Sequence, residues 1–332
     1  MAYVAICRAL FFLRAISRRV RWVERLLQIE YTDSEFAGIH AVYASAGQGI
    51  GDFYYWKAVN AILLVWMKLL DARGIRRLIS ILETSADELP ALEPGQGVIF
   101  AIPHHGHFVM SIISIADRVS AGRAVYVFYE SPGAHATNAL FDVLHKKIFG
   151  PESSCVHIIH NDRRGLATAL KALGSGAALI ILPDVYKDVA DTFVFPFLGR
   201  QWHAMVGTAT LARKTNAVIY PVVSRPGCSF YAFQTILGSP IVPDREDASI
   251  LDANVNYLDY RITFKMFTAF AHMMQSSLAF WQYAGTLFLD AKPFACLDTH
   301  AIEKHEPLFL SDPRLHVATT DAIVLGKADF PA

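Results

Sequence analysis

Three histidines fall within four residues, His104, His105 and His107, with Gly106 among them. Histidine is the side chain best matched to proton transfer near neutral pH. The segment follows a short apolar run, Gly97–Ile102, that reads as a buried strand. It precedes a second run, Phe108–Ile115, that reads as a helix. A junction at the carboxyl end of a strand is where open α/β sheets place ligands and chemistry. General acid–base work by an imidazole is therefore the first expectation.

Two later junctions carry polar residues of the right kind. Asn161-Asp162-Arg163-Arg164-Gly165 lies between an apolar run and a helical stretch. Asp162 or Asn161 suits the helix cap. Arg163 and Arg164 are poorly placed for the helix dipole but well placed to hold an anion, such as a phosphate. Ile181-Leu182-Pro183-Asp184 ends a third run in a carboxylate, at the same predicted sheet edge as His104. Asp184 is either a turn residue or a partner for chemistry. The aromatic stretch after it, with Phe195 and Phe197, either lines a channel for an acyl chain or fills the core.

The elements that must position these residues follow from periodicity. Apolar runs at Gly97–Ile102, Ala124–Tyr129, Cys155–Ile159, Ala177–Leu182 and Ala217–Val223 alternate with helical stretches near 108–119, 137–149, 164–174 and 204–215. That alternation predicts an α/β domain with a mostly parallel sheet flanked by helices. Phe230–Leu237 reads as an edge strand. Residues 1–90 read as a helical segment that faces a membrane or covers the core, 91–290 as the α/β domain, and 291–332 as an irregular tail. Within the first segment, Gly47, Gly49, Gly51 and Asp52 mark a turn before the apolar helix Tyr54–Leu70, and Arg73-Gly74 ends it. The arginines from Arg8 to Arg25 run among bulky apolar residues, a pattern that suits a bilayer surface or a core-covering helix.

Composition narrows the function. The chain has 332 residues, 53% of them apolar, which is enough for a sizeable core. Its formal net charge is zero, which argues against nucleic-acid binding. Four scattered cysteines lack metal or disulfide spacing and favour a reducing compartment. No glycine loop for phosphates and no metal-ligand spacing is visible, so no cofactor is expected.

The order of motifs is recognisable. His104-x-Gly106-x-Phe108 comes first, then Arg163 before Leu170-Lys171-Ala172-Leu173, then Leu182-Pro183-Asp184 and Phe195-Pro196-Phe197-Leu198-Gly199. Leu211-Ala212-Arg213-Lys214-Thr215 and Val218-Ile219-Tyr220-Pro221 close the set. Together these resemble the lysophospholipid acyltransferase superfamily, nearest to the bacterial late lipid A biosynthesis acyltransferases, over about residues 97–225.

The resemblance implies an acyltransferase-type α/β sandwich with N-terminal helices, on the cytoplasmic face of the inner membrane. It implies transfer of a fatty acyl group from acyl carrier protein or coenzyme A to a hydroxyl or amine of a lipid or small-molecule acceptor. His104 becomes the general base, and attack is direct, since no Ser or Cys nucleophile lies beside it. Asp184 is the proposed acid. His105, Gly106, His107, Lys146, Lys147, Arg163, Arg164, Phe195 and Phe197 are the expected substrate contacts, with Gly106 letting backbone approach the reacting carbonyl. The chain departs from the family's His-x4-Asp/Glu signature, because Val109 stands where the acid belongs. Either His104 works alone or with Asp184, or the acceptor is a better nucleophile, or the chain binds acyl groups without transferring them. A thioester hydrolase is a further alternative.

Overall fold

The computed structural model describes residues 50–130, 136–150, 155–185, 193–198, 200–227, 231–243 and 255–289. The arginine-rich N-terminal segment and the tail from 291 lie outside them.

Seven strands form one sheet in the order β1-β9-β8-β2-β5-β3-β4. The strands are β1 (Glu83–Ala86), β2 (Val98–Ala101), β3 (Val125–Tyr129), β4 (Val156–His160), β5 (Ala178–Ile181), β8 (Val218–Pro226) and β9 (Phe233–Leu237). All neighbours are parallel except β8 and β9. The central strands β2 and β5 are buried throughout, as apolar runs in a sheet covered on both faces should be. A separate antiparallel hairpin joins β6 (Phe193–Phe197) and β7 (Arg200–Ala204).

Helices cover both faces. α1 (Ile50–Leu69) and α2 (Ala72–Leu82) lead into β1, and α3 (Phe108–Val119), α4 (Ala136–Phe149), α5 (Arg163–Gly174) and α6 (Gly207–Thr215) follow β2, β3, β4 and β7. α7 (Val255–Met274) packs on α6, β8 and β6. A 3-10 turn, Gln275–Phe280, and α8 (Ala284–Leu289) complete the described chain. α3 is apolar on two sides and buried on both. Ile112, Ile115 and Ala116 meet Val98 and Phe100 of the sheet, while Val109, Met110 and Ile113 meet Val59, Leu63 and Ile75 of α1 and α2.

Several expectations change. β9 is not an edge strand, because β1 flanks it. Gly51 and Asp52 lie inside α1, and Arg73 and Gly74 lie in the first turn of α2, which Asp71 caps by accepting the Gly74 N–H at 2.7 Å. Among the described residues no helix is long and apolar enough to cross a membrane.

Candidate active site

Register builds the site. β2 and β5 are adjacent and parallel, with Ala101 opposite Ile181. Each ends in an apolar residue and a proline, Ile102-Pro103 and Leu182-Pro183. Proline has no N–H to continue a ladder. The next residues, His104 and Asp184, therefore leave neighbouring strands at the same level.

They meet there. His104 Nδ1 lies 2.7 Å from Asp184 Oδ1, and the His104 backbone N–H donates to Asp184 Oδ2 at 2.7 Å. Trp281 Nε1–H donates to the same Oδ2 at 2.7 Å. The carboxylate is 1% exposed while the imidazole is 17% exposed. A buried carboxylate needs donors, and this one accepts three. As an acceptor, Asp184 keeps the proton on His104 Nδ1 and leaves Nε2 with its lone pair. The ring is held between Phe108, 4.9 Å away, and Tyr283, edge-on at 5.3 Å.

His104 opens onto a cleft of about 290 Å³ at the carboxyl edge of the sheet. Its walls are mainly apolar, including Phe128, Leu182, Met205 and Leu211, with Glu130, Asn161, Thr208 and Tyr283 as polar points. Burial, with the Asp184 and Glu130 carboxylates nearby, pushes the Tyr283 phenol well above its usual range, so it stays a donor.

The neighbouring histidines are built differently. His105 is fully buried, with Nδ1 2.9 Å from the Ser224 carbonyl and Nε2 2.7 Å from that of Ser277. Ser277 Oγ lies 3.2 Å from Nε2 and can donate to it. Desolvation lowers the His105 pKa to about 4 despite these carbonyls, so the ring is neutral. His107 is buried at the N-cap of α3, its ring 6.0 Å from Phe233. Gly106 adopts φ +58°, and a Cβ there would meet the Ser224 oxygen at 2.1 Å. Its N–H donates to Phe280 O. Gly106 thus lets the loop approach β8, not a substrate carbonyl, and His105 and His107 anchor that loop instead of facing the cleft.

Other expected contacts also separate. Lys146 and Lys147 occupy the last turn of α4, towards the amino end of β4 and away from the His104 edge. Lys147 Nζ donates to the carbonyls of Lys68 and Leu70, near the C-terminus of α1. Phe195 and Phe197 are core residues, at 0% and 2% exposure. Phe195 stacks on Tyr260 at 4.6 Å, and Phe197 meets Trp281 edge-on at 5.3 Å. Phe197 thus packs against the indole that bonds Asp184, and Phe195 packs behind it on Tyr260 and Phe267. Arg163 and Arg164 stand exposed on the first turn of α5, which Asp162 caps through Gly165 N–H. Asn161, two residues before Arg163, lines the cleft. Val109 faces the α1–α2 core and does not share the cleft.

Trp281 and Tyr283 have no counterpart in the motif set. The chain near them clamps the histidine loop by backbone, since Gln282 N–H donates to His104 O and His105 bridges to Trp281. The one sequence feature near them is the aromatic richness of residues 254–289. Glu130 had a better signal, because it follows a predicted strand at the same edge.

A family model described as bacterial lipid A biosynthesis acyltransferase matches residues 65–240, more than half of the chain. No curated protein matches the chain significantly. Trp281 and Tyr283 lie beyond the matched span.

Proposed function

The chain belongs to the bacterial lipid A biosynthesis acyltransferase family, and from that premise we propose that it transfers a fatty acyl group from a thioester to a hydroxyl or amine with His104 as general base. Acyl transfer is the reaction of the family. The donor is acyl carrier protein or acyl-coenzyme A. Nε2 of His104 takes the proton of the acceptor, and the nucleophile attacks the thioester carbonyl directly. Asp184 holds the ring in the required tautomer and balances the imidazolium that forms.

One observation carries this reading: the 2.7 Å contact between Asp184 and His104 Nδ1 at the mouth of an apolar cleft. It supplies from β5 the carboxylate that position 109 lacks. Arg163 and Arg164, exposed beside the cleft, suit the phosphates of the donor or an anionic acceptor. Val65, Leu69 and Ile81 on α1 and α2 expose apolar surface, which suits peripheral contact with a bilayer.

The test supplies long-chain acyl-coenzyme A and acyl carrier protein thioesters together with a bacterial lipid extract. Acylated lipid is followed by mass spectrometry. His104→Ala is expected to cut turnover by roughly 10⁴, the upper range for a general base, with the fold retained although the loss of one donor to Asp184 lowers the melting temperature. Undiminished transfer in that variant would overturn the assignment. Thioester loss without acylated lipid would make the protein a hydrolase. Binding without turnover would make it an acyl-chain carrier.

A further inference from the structure

The cleft has a second polar wall opposite in kind to the dyad. α6 begins there, with Met205, Gly207, Thr208 and Leu211 all lining the cleft beside His104. The helix runs antiparallel to the strand it precedes, β8, so its N-terminus points to the carboxyl edge of the sheet. Val206, at the N-cap, supplies no side-chain acceptor. Among the described residues the N–H groups of Gly207 and Thr208 find no acceptor. Thr208 is 3% exposed, lines the cleft, and its hydroxyl makes no hydrogen bond to any described residue. The Thr208 side chain is nearly covered, yet its hydroxyl opens only to the cleft, and with the uncapped first-turn amides it is free to meet a ligand there.

We propose that the Thr208 hydroxyl and the first-turn amides of α6 form the oxyanion hole for the thioester carbonyl. The inference rests on the acyl-transfer assignment for the same cleft. As the acceptor oxygen or nitrogen bonds to the carbonyl carbon, the C=O π pair moves to oxygen and His104 takes the acceptor proton. The α6 donors receive that oxyanion, aided by the positive end of the helix dipole. The C–S bond then breaks as the carbonyl reforms, and His104 returns its proton to the departing thiolate. The donor set suits a transient charge better than a phosphate. Among the described residues the cleft wall carries Glu130 and no lysine or arginine, so a permanent dianion lacks a counter-charge.

The test compares Thr208→Ser with Thr208→Ala, a pair that differs only in the hydroxyl. With long-chain acyl-coenzyme A as donor, Thr208→Ser is expected to keep kcat within threefold of the parent. Thr208→Ala is expected to lose about 10²-fold in kcat with KM unchanged. A trifluoromethyl-ketone analogue of acyl-coenzyme A, which presents an oxyanion once an added nucleophile or hydroxide joins it, should bind Thr208→Ala more weakly by a similar factor. A thioether analogue without the carbonyl should bind both variants alike. Equal kcat in the Ser and Ala variants, or equal affinity for the ketone, overturns the oxyanion hole while leaving the dyad untouched. Turnover that survives His104→Ala overturns the parent assignment instead.

Discussion

His104 and His105 are consecutive, yet one faces a cleft and the other is sealed in the core. Their difference is a matter of partners. His104 has a carboxylate on Nδ1 and an opening at the other side of the ring. His105 has backbone carbonyls on both sides and no opening. A carboxylate partner stabilises the imidazolium that proton transfer creates, whereas full burial suppresses it. The first arrangement suits chemistry and the second suits holding three chain segments together. Residue type alone does not separate these roles.

The strongest way to break this contrast is to change Asp184. Its Oδ2 accepts two N–H donors, from the His104 backbone and Trp281, so an asparagine there must turn its oxygen that way. The amide nitrogen then faces His104 Nδ1 and donates to it. That flips the tautomer and puts the proton on Nε2, where the base is needed. Asp184→Asn is expected to lower kcat by roughly 10³ or more with the fold retained. Parental kcat in this variant would remove Asp184 from the mechanism.

Restoring the family signature tests the same point from the other side. Val109→Asp places a carboxyl among the apolar side chains of Val59, Leu63 and Ile75. It is expected to destabilise the protein by about 3–5 kcal/mol, read as a lower denaturant midpoint, and not to rescue Asp184→Asn. Rescue would mean that the α3 position still reaches the imidazole.

Much of this site was legible beforehand because parallel sheets obey simple rules. β2 and β5 are continuous apolar runs, β3, β4 and β8 are largely apolar, and chemistry-bearing residues follow β2, β4 and β5 at one edge. Ile-Pro-His and Leu-Pro-Asp carry the pairing of His104 with Asp184 almost openly, once β2 and β5 are neighbours. Burial was not legible. His105 and His107 are polar by type, and only the packing of β8 and the 3-10 turn takes them inside. Phe195 and Phe197 offered both a channel and a core, and contact with Tyr260, Phe267 and Trp281 decided for the core. β1 went unseen because Glu-Thr-Ser-Ala has no apolar alternation. Trp281 reaches Asp184 from far along the chain, which no local pattern encodes.

The sealed half of the loop makes its own prediction. His105 has a folded pKa of about 4 against 6.5 when unfolded. The unfolded chain therefore binds the proton more tightly, and stability rises with pH across this interval. The contribution is complete above about pH 6.5 and is lost as pH falls towards 4, about 3 kcal/mol in all. Denaturant midpoints measured across that range should fall on acidification. His105→Gln, which keeps polar atoms without a titrating ring, should flatten that component although its absolute stability is lower. An unchanged slope would mean that the ring is already charged in the fold.

The smallest expected effect isolates the indole. Trp281→Phe keeps the ring against Trp202 and Phe197 but removes one of the three donors to Asp184. Losing a hydrogen bond to a buried carboxylate costs about 1.5–3 kcal/mol. The carboxylate is then held by two donors and fixes the His104 ring less firmly. If the indole serves the dyad, kcat should fall several-fold while KM stays near parental. If it serves only the fold, the melting temperature drops and kcat does not move. That difference separates a positioning role in the cleft-facing half from the purely structural one played by His105.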